Sequence, residues 1–372
     1  EMKVLAYLNL HHSPRLGPLT VSRSSAVVSF LGRYAIMDFM LSNFSNSGFD
    51  RVATLVDNHP DSVLKHFGSR NTFNINTKLG LEIIAYNESG SKAGPRYNTD
   101  VANILFNSWI LEQTDPDYVV VAPSYFVLPL DFRPILKQHM ANKSKVTAVY
   151  QRVYNARNEY IGRSIFDLNT DGHVINISRN KGEKDERNIG LETYIFSRDA
   201  FELLIKDAQK ISSFYTLSDI VAYHALKDLR VDTYEYLGYM RCFDSYQHYY
   251  DYSFELLSYR IRRQLFLPHW PIYTVTHDTP PAKYEATADV NNAFIANGSL
   301  ICGTIRNAII SRNVKVEEGA VVENSIIFTD SIVRRNKIIS HAIIDKQAEV
   351  AVAAELAGTP DDIIYVRKGD RV

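Results

Sequence analysis

The chain has 372 residues, 45% of them hydrophobic and 22% charged, with a formal net charge of −1 and a pI near 6.9. That is enough length for two domains with full cores, in an ordinary globular composition. The balanced charge argues against nucleic acid or an anionic membrane as the main partner, and no apolar run approaches the length of a membrane span.

Glu1-Met2-Lys3 leads straight into a strand-like run, with no signal-peptide pattern before it. Cys242 and Cys302 make no disulfide framework, which fits a reducing cytosol. Val4 to Leu8 reads as a strand, Met37 to Ser47 as a helix with Met40, Leu41 and Phe44 on one face, and Arg51 to Val56 as a second strand. Asp61 to Phe67 is helical in pattern. Tyr118 to Ala122 is a wholly apolar run of the kind found in a central parallel strand. A helix over Phe132 to Asn142 and a strand over Val146 to Tyr150 follow. This alternation predicts an open, mostly parallel sheet with helices on both faces. Ligands of such sheets sit beyond the carboxyl ends of the strands, so the loops after residues 8, 56 and 122 are the ones to inspect.

Tyrosines crowd into 234–259, either as a core helix packed on a sheet or as a surface on which sugars or bases stack. Pro268, Pro271, Pro280 and Pro281 mark a linker. Beyond it, Cys302, Ala308, Val314, Ala320, Ile326, Ile332, Ile338, Ile344 and Val350 recur with a period of six. A second stripe holds Ile309, Val321, Ile327, Val333 and Ile339. Six residues per step suits a short strand plus a corner, three of which make one coil of a β-helix. Each coil buries its row only by stacking on the next, so the solenoid reads as a scaffold and the chemistry is expected in the first part of the chain. The predicted organisation is 1–267 as an α/β domain, 268–284 as linker and 285–372 as solenoid.

Motifs then give a family. Arg15-Leu16-Gly17-Pro18-Leu19-Thr20 is similar to the signature of sugar-nucleotide pyrophosphorylases. Phe30 to Asn43, followed by Ser47-Gly48, resembles glucose-1-phosphate adenylyltransferase, the ADP-glucose pyrophosphorylase of glycogen synthesis. Asp131-Phe132-Arg133-Pro134 and Pro280-Pro281-Ala282-Lys283-Tyr284 add to the match, as does the solenoid. The resemblance implies a nucleotidyltransferase-type sheet followed by a left-handed parallel β-helix of hexapeptide repeats. It also implies a reaction of ATP with glucose 1-phosphate giving ADP-glucose and pyrophosphate. Such phosphoryl chemistry works by positioning and charge neutralisation: a glycine-rich loop on the phosphates, carboxylates on Mg²⁺ and a cation on the developing charge.

The sequence departs from the family at those positions. Where the family loop has glycines stand Leu10, His11 and Ser13, followed by Pro14, and only Arg15 keeps a cationic role. Side chains at Leu10 and His11 are expected to fill space a triphosphate needs, and proline removes an N–H donor. The family lysine of the next motif is Ser25. The two metal-binding aspartate positions hold Tyr125 and Cys242, with Asp244 as a possible stand-in two residues on. The motif beside the nucleotide reads Thr99-Asp100-Val101-Ala102-Asn103, without its glycine. The sugar-phosphate motif is replaced by Arg179-Asn180-Lys181, in which Lys181 could still meet a phosphate. Losing two Mg²⁺ carboxylates removes several kcal/mol of transition-state stabilisation, on the order of a thousandfold in rate.

The chain therefore resembles the D-type, non-catalytic regulatory subunit of the bacterial enzyme. The resemblance implies that it binds no cofactor of its own. Mg²⁺ would be required by an active homologous subunit, with which this chain would form a cytoplasmic hetero-oligomer of tetramer type. Two other readings compete: a working nucleotidyltransferase with relocated metal ligands, and a stand-alone sensor of a phosphosugar or nucleotide. Arg15, Arg23 and Arg33 cluster near the first loop, with Lys65 and Arg70 beyond. In the family an anionic effector binds between the two domains through basic residues of this region, so Arg23, Arg33 and Lys181 are candidates for an anion, against the alternative of a solvated basic rim. His11 and His12 read as exposed or loop-packing residues, and His59 and His66 as surface residues. Subunit contacts are expected along the solenoid edge or the helix from Phe132.

Overall fold

The computed structural model describes residues 2–49, 51–67, 82–87 and 97–372. Arg70, counted above among the basic residues, lies outside the described residues, as does Glu1.

The apolar runs become a nine-stranded sheet. Its spatial order is Val174–Arg179, Ser164–Leu168, Arg187–Ser197, Tyr118–Pro123, Val4–Asn9, Arg51–Val56 and Glu82–Tyr86. Val4–Asn9 pairs in parallel with both Arg51–Val56 and Tyr118–Pro123. Arg187–Ser197 runs antiparallel to Tyr118–Pro123 and also pairs with Val146–Val153, which in turn carries Val231–Glu235 in parallel. Both faces of the central strands are covered. Val4, Ala6 and Leu8 enter one buried cluster, and Leu5 and Tyr7 enter another on the opposite face, as the two-residue alternation of a strand requires.

Helices begin where side chains satisfy their first N–H groups. Asp131 caps Phe132–Ala141, Thr99 caps Asp100–Phe106, and Thr216 with Asp219 forms a capping box on Leu217–Ala225. Among the described residues no helix is long and apolar enough to cross a membrane.

No regular element lies between the helix Tyr259–Leu265 and Lys283–Tyr284. The intervening chain is nonetheless fastened: Trp270 Nε1 donates to Asn43 Oδ1 (2.8 Å), Asn46 Nδ2 to the Pro271 carbonyl (2.9 Å) and Thr274 Oγ1 to Asp38 Oδ2 (2.6 Å). Lys283–Tyr284 already pairs in parallel with Leu300–Ile301, the first step of the solenoid.

The solenoid is a parallel β-helix, but its repeat is not a strict six. Partners on successive coils are 17 residues apart, as in Ile310, Ile327 and Ile344, or Val316, Val333 and Val350. The inward residues Ile305, Ile310, Val316, Val322, Ile327, Val333 and Ile339 advance by 5, 6 and 6. The short step is the corner at Asn307, Asn324 and His341, where φ is +48°, +46° and +49°. Asparagine tolerates that left-handed conformation better than most residues, and Asn307 Nδ2 donates to Asn324 Oδ1 on the next coil (2.6 Å). Because the repeat is one residue short of 18, the nine-residue stripe changes face along its length. Ile338, placed inside by the six-residue period, is 43% exposed, and Ile339 takes the interior. Ile326 is buried but faces outward.

That outward column, Ile309, Ile326 and Ile343, packs on the first domain. It shares a buried cluster with Leu16, Phe30, Phe39, Tyr249 and Leu256. The tyrosine-rich segment is thus a core helix, Tyr246–Glu255, packed on the β-helix, with Tyr250 Oη donating to the Asn324 carbonyl (2.6 Å) and Gln247 Nε2 to that of Pro360 (2.9 Å). Beside the cluster, Arg23 pairs with Asp345, both almost wholly buried. Tyr365 Oη donates to the same carboxylate (2.5 Å). An apolar seam and one buried ion pair therefore join the two domains.

Candidate functional site: a strand-end cleft and the domain junction

The cleft beyond the carboxyl ends of Val4–Asn9 and Tyr118–Pro123 has a volume of about 270 Å³. Asn9, His12, Asp100, Arg163, Arg179 and Glu192 are among its lining residues. The first loop builds one wall. Leu10 does not occupy the cleft. Its side chain turns into the core, and its N–H donates to the Leu55 carbonyl (3.0 Å), so it extends the strand register rather than filling a ligand's space. His11 does line the cleft and is 3% exposed. Asn103 Nδ2 donates to His11 Nε2 (3.0 Å), so Nδ1 carries the proton and donates to the Asn98 carbonyl (3.0 Å). Burial lowers the pKa of this imidazole to about 4, so it is neutral at pH 7. Ser13 Oγ donates to the Leu10 carbonyl (2.9 Å), a bond that closes the loop on itself. Arg15 is exposed and outside the cleft lining.

The two positions expected to have lost metal ligands are not in the cleft lining; Tyr125 lies behind it, in contact with Arg163 and Glu192. Tyr125 is 1% exposed, and its hydroxyl donates to Glu192 Oε2 (2.6 Å). Cys242 is equally buried on a two-residue strand paired with Phe126–Val127. Burial, reinforced by the neighbouring Glu192 carboxylate at Tyr125 and by Asp244 at Cys242, pushes both pKa values well above their ordinary range. Neither is an anion at pH 7, and a hard divalent cation needs oxygen anions. The residues present therefore do not fit Mg²⁺ at these positions. Asp244 is no ready substitute, because its carboxylate is 2.5 Å from His248 Nδ1, and His248 Nε2 lies 3.2 Å from Glu159. Among the described residues no group of three His, Cys, Asp or Glu stands close enough to hold a metal.

Charge in the cleft is balanced. Asp100 is fully buried and accepts from Asn9 Nδ2 and from the backbone N–H groups of Val101 and Leu217. Burial raises its pKa. Arg179 Nη1 is 3.6 Å from Glu192 Oε1, and Arg163 lies over the Tyr125 ring at 5.5 Å from its centroid. Lys181 is exposed and lines no part of the cleft. The buried member of that triplet is Asn180, whose amide staples the carbonyls of Ala156, Glu159 and Tyr160. Arg163 and Glu192 went unnoticed in the sequence, since neither falls in a recognisable motif.

The domain junction differs. Two adjoining cavities of about 680 and 540 Å³ share Arg33, Tyr34, Val275, His277 and Arg312. The larger adds Arg262 and Arg263 and, among the described residues, no carboxylate, with walls of Tyr259, Phe266 and Phe294. The smaller adds Lys65, Lys346 and Lys368 against Asp61 and Asp330. Burial, and after it the neighbouring cation, lowers the pKa of two of these groups: Arg33 acts on Arg312, and Arg23 on Lys346. Arg23 lines the smaller cavity, but its charge is matched by Asp345, and its Nη1 is buried without a partner. Its first role is to tie the domains together. His66 is not a surface residue as its sequence position suggested; its Nε2 is 2.8 Å from buried Asp38. His59 is half-buried, at φ +48°.

Comparison with known proteins agrees with this architecture. Residues 12–234 match the family described as nucleotidyl transferase, and residues 280–361 match the GlmU-like C-terminal hexapeptide family. The glycogen biosynthesis protein GlgD of Bacillus subtilis (strain 168) is 33% identical over 362 residues, covering 95% of this chain and 92% of the relative. GlgD of Geobacillus stearothermophilus is also 33% identical, over 82% of this chain and 78% of its own length. Glucose-1-phosphate adenylyltransferase 2 of Vibrio cholerae is 27% identical, over 93% of this chain and 90% of its own.

Proposed function

This chain belongs to the nucleotidyl transferase family, alongside glycogen biosynthesis protein GlgD and the glucose-1-phosphate adenylyltransferases, and from that premise we propose that it acts in glycogen biosynthesis as a regulatory subunit without catalysis of its own. One observation carries the reading: Tyr125 and Cys242, buried and neutral, stand where the family resemblance calls for the carboxylates on Mg²⁺. An active homologous subunit then supplies the metal and the transfer of the adenylyl group. This chain modulates it within a cytoplasmic hetero-oligomer of tetramer type.

The surplus of positive charge at the junction supports a second element of the proposal. A small anionic effector neutralises Arg33, Arg312, Lys65 and Lys346 between the domains, and its binding is felt through the seam on which Tyr246–Glu255 packs. The relocated-ligand alternative loses ground because Asp244 is engaged by His248.

The test mixes the full chain with an active glucose-1-phosphate adenylyltransferase. The lone chain is expected to give no turnover above background with ATP, glucose 1-phosphate and Mg²⁺. The mixture is expected to co-migrate as one species with altered kcat, KM or effector response. Independent migration with unchanged kinetics, or robust turnover by the lone chain, would overturn the proposal.

A further inference from the structure

We propose that Glu192 is an internal counter-ion of the strand-end cleft: its carboxylate, paired with Arg179 in a lining it shares with Arg163, keeps small phosphate-bearing anions out. Three observations point to this residue. Its backbone has φ +48°, a conformation side chains other than glycine and asparagine rarely adopt. It sits where the pairing of Arg187–Ser197 with Val146–Val153 shifts register between Gly190 and Thr193, and such a bulge re-aims a side chain. The carboxylate is then held on both sides, by Tyr125 Oη at 2.6 Å on Oε2 and by Arg179 Nη1 at 3.6 Å from Oε1.

Arg163 shows what the carboxylate guards. Its guanidinium covers the Tyr125 ring from the cleft side, its Nε is buried without a hydrogen-bond partner, and among the described residues no carboxylate lies within ion-pair distance of it. A guanidinium so placed is a phosphate receptor by geometry. A phosphate entering between the two arginines would meet the Glu192 carboxylate at close range, and like charges so placed disfavour binding by a large factor. Glu192 thus does with one fixed carboxylate what the missing metal ligands do by their absence: it makes the cleft inert toward a substrate's phosphate. The inference rests on the reading of this cleft as non-catalytic.

The experiment titrates inorganic phosphate, without divalent metal, into the full chain and its Glu192→Gln and Glu192→Gly variants by calorimetry. Glutamine keeps the shape and an acceptor for Tyr125. Glycine removes the side chain at a backbone conformation that suits it. Both variants are expected to bind phosphate at least about tenfold more tightly than the parent. The gain is expected to vanish when Arg163→Gln is added. Phosphate held at the domain junction is common to all variants, so the difference between them reports the cleft alone. Equal affinity in parent and both variants would overturn the proposal, and so would a gain that survives Arg163→Gln. Turnover by the unmodified chain would instead sink the regulatory reading, whatever the variants do.

Discussion

The strand-end cleft and the domain junction are both concave, and both are lined by arginines, yet they hold charge in opposite ways. In the cleft Arg179 has a carboxylate beside it, and His11 in its lining and Tyr125 and Cys242 outside it are neutral. At the junction the cations face one another, and among the described residues the larger cavity has no acid in its wall. A site that supports no metal can be satisfied internally, with its polar groups turned on each other. A site that must respond to a solute has to leave its charge unmatched until the solute arrives. On the function proposed above, the contrast assigns responsiveness to the junction between the domains and inertness to the strand-end cleft.

The most disruptive way to break that contrast is at the seam. Asp345→Ala leaves the Arg23 guanidinium buried without its partner, and the expected loss is about 3–5 kcal/mol, read as a lowered denaturation midpoint. The β-helix register offers a sharper comparison between neighbours. Ile339→Ala empties an interior position and is expected to cost about 2–5 kcal/mol, whereas Ile338→Ala, on the exposed side, is expected to stay within about 0.5 kcal/mol. Equal losses would restore the strict six-residue repeat. Tyr125→Phe keeps the packing but strips the donor from Glu192, for an expected loss of about 1–3 kcal/mol in denaturant titration.

The smallest effects are in the pH profile, where two histidines oppose each other. Folded His11 has a pKa of about 4 against an unfolded value near 6.5, so the unfolded chain takes up the proton first and stability falls as pH drops from about 6.5 to 4. His248 is raised, first by its bond to Asp244, against the opposing effect of burial. Its contribution is full below the unfolded pKa and is lost as pH rises through the higher folded one. His11→Asn should flatten the acid limb of a thermal-stability profile, and His248→Gln the limb above pH 6.5. A profile unchanged by either substitution would contradict these assignments.

Much of the fold was legible because its signals are local. Apolar runs such as Tyr118 to Ala122 and helical patterns such as Phe132 to Asn142 depend on neighbours in the chain, and they lie in the structure within a residue or two of where the pattern puts them. The β-helix was legible as a β-helix but not in phase. A 5-6-6 step imitates a period of six over any short window, and only stacking shows which isoleucine of Ile326-Ile327 or Ile343-Ile344 faces in. The doubled isoleucines 17 residues apart were the available signal for both the coil length and the face that docks.

The candidate site was legible by subtraction. The departures at Tyr125 and Cys242 from the family motif show in the sequence, because they are a matter of residue type. How those side chains are buried and partnered is a matter of position.

What the sequence by itself determined, then, is the order of elements, the kinship and the residue types at the family's metal-ligand positions. The first follows from patterning along the chain, and the other two from the motifs it shares with the family. Only the tertiary structure decided that Arg23 answers to Asp345 across 322 residues, that Leu10 leaves the cleft while Glu192 enters it, and that Lys346 from the β-helix shares a cavity with Arg33 from the first domain. Ion pairs and hydrogen bonds form only within a few ångströms, and no pattern along the chain records which distant groups folding brings that close.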